Sequence, residues 1–183
     1  ILSIDIDYAF SPSISKYDDF IVGSSISVEE QLKIYEELGE TPKINPDKLE
    51  VLHRIVQGLD APVIVAIHHH EILQHLPIDS SLTIFNFDHH HDIFYPGWHD
   101  RDILDEGNWI SHVSNLSRYV WIRNLDSENL DPSVEFDFDY EEILDVSCLS
   151  LPKIDLIFGC CSPHWTMSLG RKHLMEVLCL KYE

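Results

Sequence analysis

The sequence predicts an α/β domain built on a mainly parallel sheet. Three observations point there. Short apolar runs of strand length recur at 1–7, 62–67, 82–88 and 154–161. Stretches with helical hydrophobic spacing stand between them. Carboxylate and imidazole residues gather where the runs end, as ligands do at the carboxyl ends of parallel strands. The chain of 183 residues is 44% hydrophobic and 24% charged, which suits a single domain over 1–183 with a sizeable core.

The elements follow in order. Ile1-Leu2-Ser3-Ile4-Asp5-Ile6-Asp7 reads as a buried strand with Asp5 and Asp7 on one face. Ser11-Pro12-Ser13 breaks it, and 11–26 reads as a long loop. Ser27-x-x-Glu30 is a capping box for a helix that Gly39 and Pro42 end. Asn45-Pro46 starts another helix, with Leu49, Leu52, Ile55, Val56 and Leu59 as its buried stripe. His53 beside that stripe reads as structural. Pro62 to Ile67 is a second buried strand, running into His68-His69-His70-Glu71 and a short helix from Glu71 to Leu76. Leu82 to Asp88 is a third. An aromatic loop follows at 93–100, then a helix over 106–116 and a strand at 119–122. Residues 124–133 read as a surface loop, and 134–139 alternates like a half-exposed strand. The run at 154–161 is the last buried strand, and a helix from about Leu169 closes the chain.

Composition narrows the partners. Lysine and arginine number 12 against 32 acidic residues, a formal net charge of −20. Such a field repels nucleic acid and anionic membranes and favours cationic partners. No apolar run approaches the ~20 residues that span a bilayer, and no secretory leader is visible. Cys148, Cys160, Cys161 and Cys179 lack zinc-ribbon spacing and read as reduced core thiols of a cytoplasmic protein.

The chemistry concentrates in Asp88-His89-His90-His91-Asp92, directly after an apolar run. If the strand stays extended, Asp88, His90 and Asp92 project to one side. If the three strands that end in Asp5 and Asp7, the 68–70 histidines and this motif are neighbours in one parallel sheet, four carboxylates and two imidazoles converge. That exceeds one ordinary site and suits two divalent cations, whose charge the carboxylates offset. His89 and His91 face the other way, toward packing or support.

Asp-x-His-x-Asp (88, 90, 92), Asp-x-Asp (5, 7) and a strand-end histidine resemble the arginase/deacetylase superfamily and its ureohydrolase branch. Ile-Asp-Ile-Asp-Tyr-Ala-Phe-Ser, His-His-His-Glu-Ile-Leu, Phe-Asp-His-His-His-Asp and Gly-Asn-Trp-Ile are similar to the small related family that includes peptide arginases. Those enzymes convert arginine to ornithine within ribosomally made precursor peptides. The similarity runs in patches from residue 1 to about 166. It implies a three-layer α/β/α fold and two manganese ions. It implies His69, Asp88, Asp92 and Asp5 around one ion and Asp88, His90, Asp5 and Asp7 around the other. One departure stands out. In ordinary arginases the Asp-x-Asp follows the Asp-x-His-x-Asp, whereas here it precedes it. Either the arginase-like order is circularly permuted or the true pair is Asp137/Asp139. The more apolar flanks favour Asp5/Asp7.

The resemblance implies hydrolysis of an arginine side chain in a precursor peptide to ornithine and urea. A histidine must protonate the leaving amine; His164 is the first candidate, then His99 and His112. A carboxylate should pair with the guanidinium; Glu71, Asp18, Asp19 and Asp100 are candidates. The rivals are a ureohydrolase of free arginine or agmatine, and a non-catalytic metal-binding interaction module.

Overall fold

The computed structural model describes residues 1–10, 33, 43–95, 100–127 and 129–180, without the side chains of 164, 167 and 168. Six runs form strands: β1 (Leu2–Asp5), β2 (Val63–Ala66), β3 (Leu82–Phe87), β4 (Leu116–Ile122), β5 (Asp139–Ile143) and β6 (Ile157–Cys160). They make one sheet in the order β2-β6-β1-β3-β4-β5, and every neighbouring pair is parallel. The expected parallel α/β architecture is therefore present. From β1 the chain moves toward the β2 edge; from β3 it moves toward the β5 edge. The winding reverses between β1 and β3, which opens a crevice at their carboxyl ends.

Alternation along the strands separates two cores. Leu2, Ile4, Phe85, Phe87, Val120 and Ile122 pack on one face with Leu52, Val56, Leu174 and Val177. The last four belong to helices α1 (Pro46–Gln57) and α2 (Pro163–Val177). Ile84, Tyr119, Trp121 and Phe158 pack on the other face with Ile72, Trp109 and Ile110. These last come from the 3-10 turns His69–His75 and Trp109–His112. The molecule thus has three layers, with α-helices on one side and 3-10 turns covering the other among the described residues. Fully burying each large apolar side chain contributes about 1.5–3 kcal/mol.

Local chemistry sets the helix starts. Asn45 accepts hydrogen bonds from the backbone of Asp47 and Lys48, so α1 begins at Pro46 as its sequence predicts. The closing helix begins at Pro163, six residues before the expected Leu169. Pro163 fits the first turn, where no N–H is needed. Gly170 then lets α2 press against the end of β6. A Cβ there would collide with Thr166 Oγ1 and the carbonyl oxygen of Cys161, and the Thr166 hydroxyl donates to that same carbonyl at 2.8 Å.

Several expectations are corrected. β1 stops at Asp5, and Ile6–Ala9 is a 3-10 turn. The short helix after β2 is also 3-10 and begins at His69 rather than Glu71. The helix expected over 106–116 is only the Trp109–His112 turn. Residues 134–138 form no strand; β5 starts at Asp139. There Phe136 stacks on Phe138 at 4.7 Å and meets Tyr140 edge-on, so the alternation reflects ring packing without a ladder. Two cysteines are buried, Cys160 and Cys161, while Cys148 and Cys179 are exposed rather than core thiols. The loop over 11–26 and the capping-box helix over 27–38 lie outside the described residues, except Lys33, which is helical. No described helix is long and apolar enough to cross a membrane.

Candidate metal centre

The crevice between β1 and β3 holds the acidic cluster. Asp5 ends β1, and Asp7 sits one turn on, where Asp5 Oδ1 accepts its backbone N–H at 3.0 Å. The tight turn, not strand alternation, keeps Asp7 beside Asp5. Likewise β3 ends at Phe87, before the motif begins. Asp88 Oδ1 accepts the N–H of His90 at 2.8 Å, and Asp92 adopts a left-handed backbone with φ 53°. This curl brings Asp88, His90 and Asp92 together where the sequence suggested an extended chain.

His69 arrives from further away. β2 is separated from β1 by β6, and the 3-10 turn carries the imidazole back over β6 to the crevice. Its Nδ1 lies 3.4 Å from Asp5 Oδ2, 3.1 Å from Asp88 Oδ2 and 2.9 Å from Asp92 Oδ2. Around the other histidine, His90 Nδ1 is 3.0 Å from Asp7 Oδ2 and 3.8 Å from Asp88 Oδ1. Asp88 therefore presents one oxygen to each half of the cluster. Two sets have ligand atoms close enough to share an ion: His69/Asp88/Asp92 and Asp7/Asp88/His90. A third, Asp5/His69/Cys160, brings in a cysteine that spacing alone did not nominate. The Cys160 thiol donates to the Ile67 carbonyl at 3.4 Å.

Supporting groups orient these side chains. Ser3 Oγ lies 2.7 Å from His69 Nε2. Asn86 donates to Asp88 Oδ2 at 3.0 Å and Trp109 donates to Asp92 Oδ2 at 2.6 Å. The His89 N–H donates to Asp7 Oδ1 at 3.2 Å. Outer partners of this kind fix ligand rotamers and basicity. Ser3 and Asn86 carry a faint sequence signal, being polar residues inside apolar strands. Trp109 lies in the Gly-Asn-Trp-Ile stretch of the resemblance, but nothing local names Asp92 as its partner, which is set by how the chain folds back.

The electrostatics are those of anions crowded out of water. Burial pushes Asp5 up to about 7, helped by Asp7 and Asp88. Burial also raises Asp88 well above the carboxylate range, with Asp92 and Asp7 adding to it, and raises Asp92. Asp7 is also buried, but contact with His90 outweighs burial and holds it low. For the histidines burial works downward. Asp5, Asp88 and Asp92 overcome it at His69, which is raised well above its ordinary value. Asp7, then Asp88 and Asp92, overcome it at His90, raised to about 10. His89 falls to about 4 and His91 to about 3, through burial and then the His90 charge.

The donor set fits divalent cations. His69 Nδ1 and Asp7 Oδ2 are buried and make no hydrogen bond of acceptable geometry, despite charged neighbours about 3 Å away. Each belongs instead to a group of ligand atoms near enough to hold an ion, His69 with Asp88 and Asp92, Asp7 with Asp88 and His90. Buried groups left without a hydrogen bond are costly, and a hard or borderline cation is the partner that carboxylate and imidazole ligands accept together.

The other candidates divide. Among the 68–70 histidines, His69 enters the cluster, while His68 Nδ1 pairs with Glu106 and the His68 and His70 rings stack at 5.7 Å. His91 stacks on Tyr95 at 4.1 Å, the packing role expected of it. Glu71 does not reach the cluster: its Oε1 accepts the N–H groups of Ile67 and His68 and caps the 3-10 turn. Asp137 is exposed, and Asp139 is exposed at the start of edge strand β5, at the sheet end opposite the cluster. They are no alternative to Asp5 and Asp7. His112 is half-buried with Nε2 unpartnered, and Asp100 is exposed. His164 is the second residue of α2, its side chain not described. His99, Asp18 and Asp19 lie outside the described residues.

Fold and cluster together define a class: a parallel α/β protein with a buried Asp/His centre suited to metal at the sheet's topological switch. No family model, curated protein or solved structure matches the chain.

Proposed function

We propose that the protein is a dinuclear metal hydrolase that converts arginine side chains of a precursor peptide to ornithine, releasing urea. Asp5, His69, Asp88 and Asp92 would hold one manganese ion, and Asp5, Asp7, Asp88 and His90 the other. The observation that carries this reading is Asp88, whose two oxygens face separate histidine–carboxylate groups. The ureohydrolase-like words around these residues supply the choice of substrate. Two bound cations would lower the pKa of a shared water and polarise the guanidinium.

The residues do the rest. The formal net charge of −20 favours the approach of a cationic side chain. Water adds its oxygen to the guanidinium carbon, the bond from that carbon to the side-chain nitrogen breaks, and both protons of the water end on the leaving nitrogen. Arginine plus water thus gives an ornithine ammonium and neutral urea. His164 or His99 would deliver a proton to that nitrogen. Asn86, Ser3 and Trp109 hold the ligands in place throughout.

The test is a manganese-loaded sample with an arginine-containing peptide and, separately, free arginine and agmatine. Urea release with conversion of the peptide to its ornithine form, and no turnover of the small compounds, supports the proposal. Turnover of free arginine or agmatine alone makes it a small-molecule ureohydrolase. Metal uptake without urea from any of them makes it a binding module.

A further inference from the structure

Among the described residues, the cluster is deeply buried, and its most exposed member stands beside an aromatic ring. The side chains of Asp5, Asp7, His69, Asp88 and Asp92 are at most 6% exposed, whereas that of His90 is 19% exposed. Among the side chains of the cluster, His90 is the most open to solvent. Beside it stands Trp165 on the first turn of α2, half-buried, its ring centroid 4.7 Å from that of His90 at a tilt of 36°. The helix holds the residue firmly there, since the Trp165 N–H donates to the Ser162 carbonyl at 3.1 Å and Gly170 packs α2 closely against β6. Trp109 and Trp121 are fully buried, so among the described tryptophans only Trp165 offers a partly open face.

We infer that Trp165 is the substrate-contact residue that selects a flat cation, its indole face stacking on the guanidinium beside His90. Two features meet here that a neutral or compact ligand would not use. An indole face attracts cations most strongly of the aromatic rings, and a planar, weakly hydrated guanidinium stacks on it better than an ammonium does. The formal net charge of −20 favours a cationic ligand over a neutral one. The inference rests on the arginine-directed reading of the site but concerns recognition rather than turnover.

The experiment compares wild type, Trp165→Leu and Trp165→Phe, each loaded with manganese and counted for metal. The ligands are N-acetyl-arginine amide, N-acetyl-lysine amide and the neutral isostere N-acetyl-citrulline amide. Calorimetry gives Kd, or urea release gives KM where turnover occurs. The wild type should rank arginine over lysine over citrulline. Trp165→Leu should weaken arginine binding about 3- to 30-fold, flatten that ranking and keep the wild-type metal count, with Trp165→Phe in between. Unchanged arginine affinity in Trp165→Leu overturns the inference, as does failure of the wild type to bind arginine amide. Loss of metal together with affinity also overturns it, because Trp165 would then act only by supporting His90. Absence of urea from the wild type removes the hydrolytic reading alone, and the calorimetric ranking still decides Trp165.

Discussion

Ser3 Oγ and His69 Nε2 lie 2.7 Å apart inside the fold, and this contact fixes which ring nitrogen of His69 faces the carboxylates. With Nε2 engaged, Nδ1 is aimed at Asp5, Asp88 and Asp92. Ser3→Ala should therefore weaken metal binding about 10- to 100-fold while the fold persists. Metal titration with parallel circular dichroism checks this; unchanged affinity would mean the hydroxyl merely fills space.

The pairing of Asp5 with Asp7 is open to direct test against Asp137 with Asp139. Asp5→Asn/Asp7→Asn should lose metal, since both carboxylates are buried in the cluster. Asp137→Asn/Asp139→Asn should keep it, since both are exposed. Elemental analysis of the two double variants separates them, and the reverse pattern would move the site.

Metal affinity should rise with pH. Asp5, with a folded-state value of about 7 against an ordinary carboxylate value near 4, holds a proton that a cation must displace. In the metal-free protein this raised value stabilises the fold fully below about pH 4, and that stability is lost as pH rises through about 7. His90, raised to about 10, acts in the same direction at higher pH. Cation binding replaces those protons, so more protons should be released per ion at pH 6 than at pH 8. Calorimetry in buffers of different ionisation enthalpy counts them, and a proton count independent of pH would contradict the assignment of Asp5.

Two substitutions test positions outside the cluster. Glu71→Ala removes the acceptor for the Ile67 and His68 N–H groups and should cost about 0.5–2 kcal/mol, typical of a lost cap, with metal content kept. Gly170→Ala would force a methyl into Thr166 and Cys161 and should destabilise by about 1–3 kcal/mol, as overpacking does. Urea denaturation reads both.

Much of this was legible in the chain because apolar runs and their polar ends are local signals. The parallel sheet, the start of α1 at Asn45-Pro46 and the metal-type residues at 5, 7, 88, 90 and 92 all came from such signals. The geometry did not. Strand alternation named Asp88, His90 and Asp92 for the wrong reason, since a curl with Asp92 at positive φ brings them together. The 134–139 pattern misled because Phe136 and Phe138 stack on each other outside any strand. Glu71, a candidate partner for the guanidinium, instead serves the backbone of Ile67 and His68. The family resemblance named His69 among its neighbours, whereas the aid of Ser3 and Trp109 depends on contacts across 66 and 17 residues of chain, which no local pattern encodes.

The most direct test is the manganese content of the wild type beside Asp88→Asn. If Asp88 joins two halves of one centre, the wild type should hold two ions per chain, and the variant, still folded, should retain at most one, weakly bound. A wild type that binds no stoichiometric manganese, or an Asp88→Asn protein that keeps both ions at undiminished affinity, would contradict it.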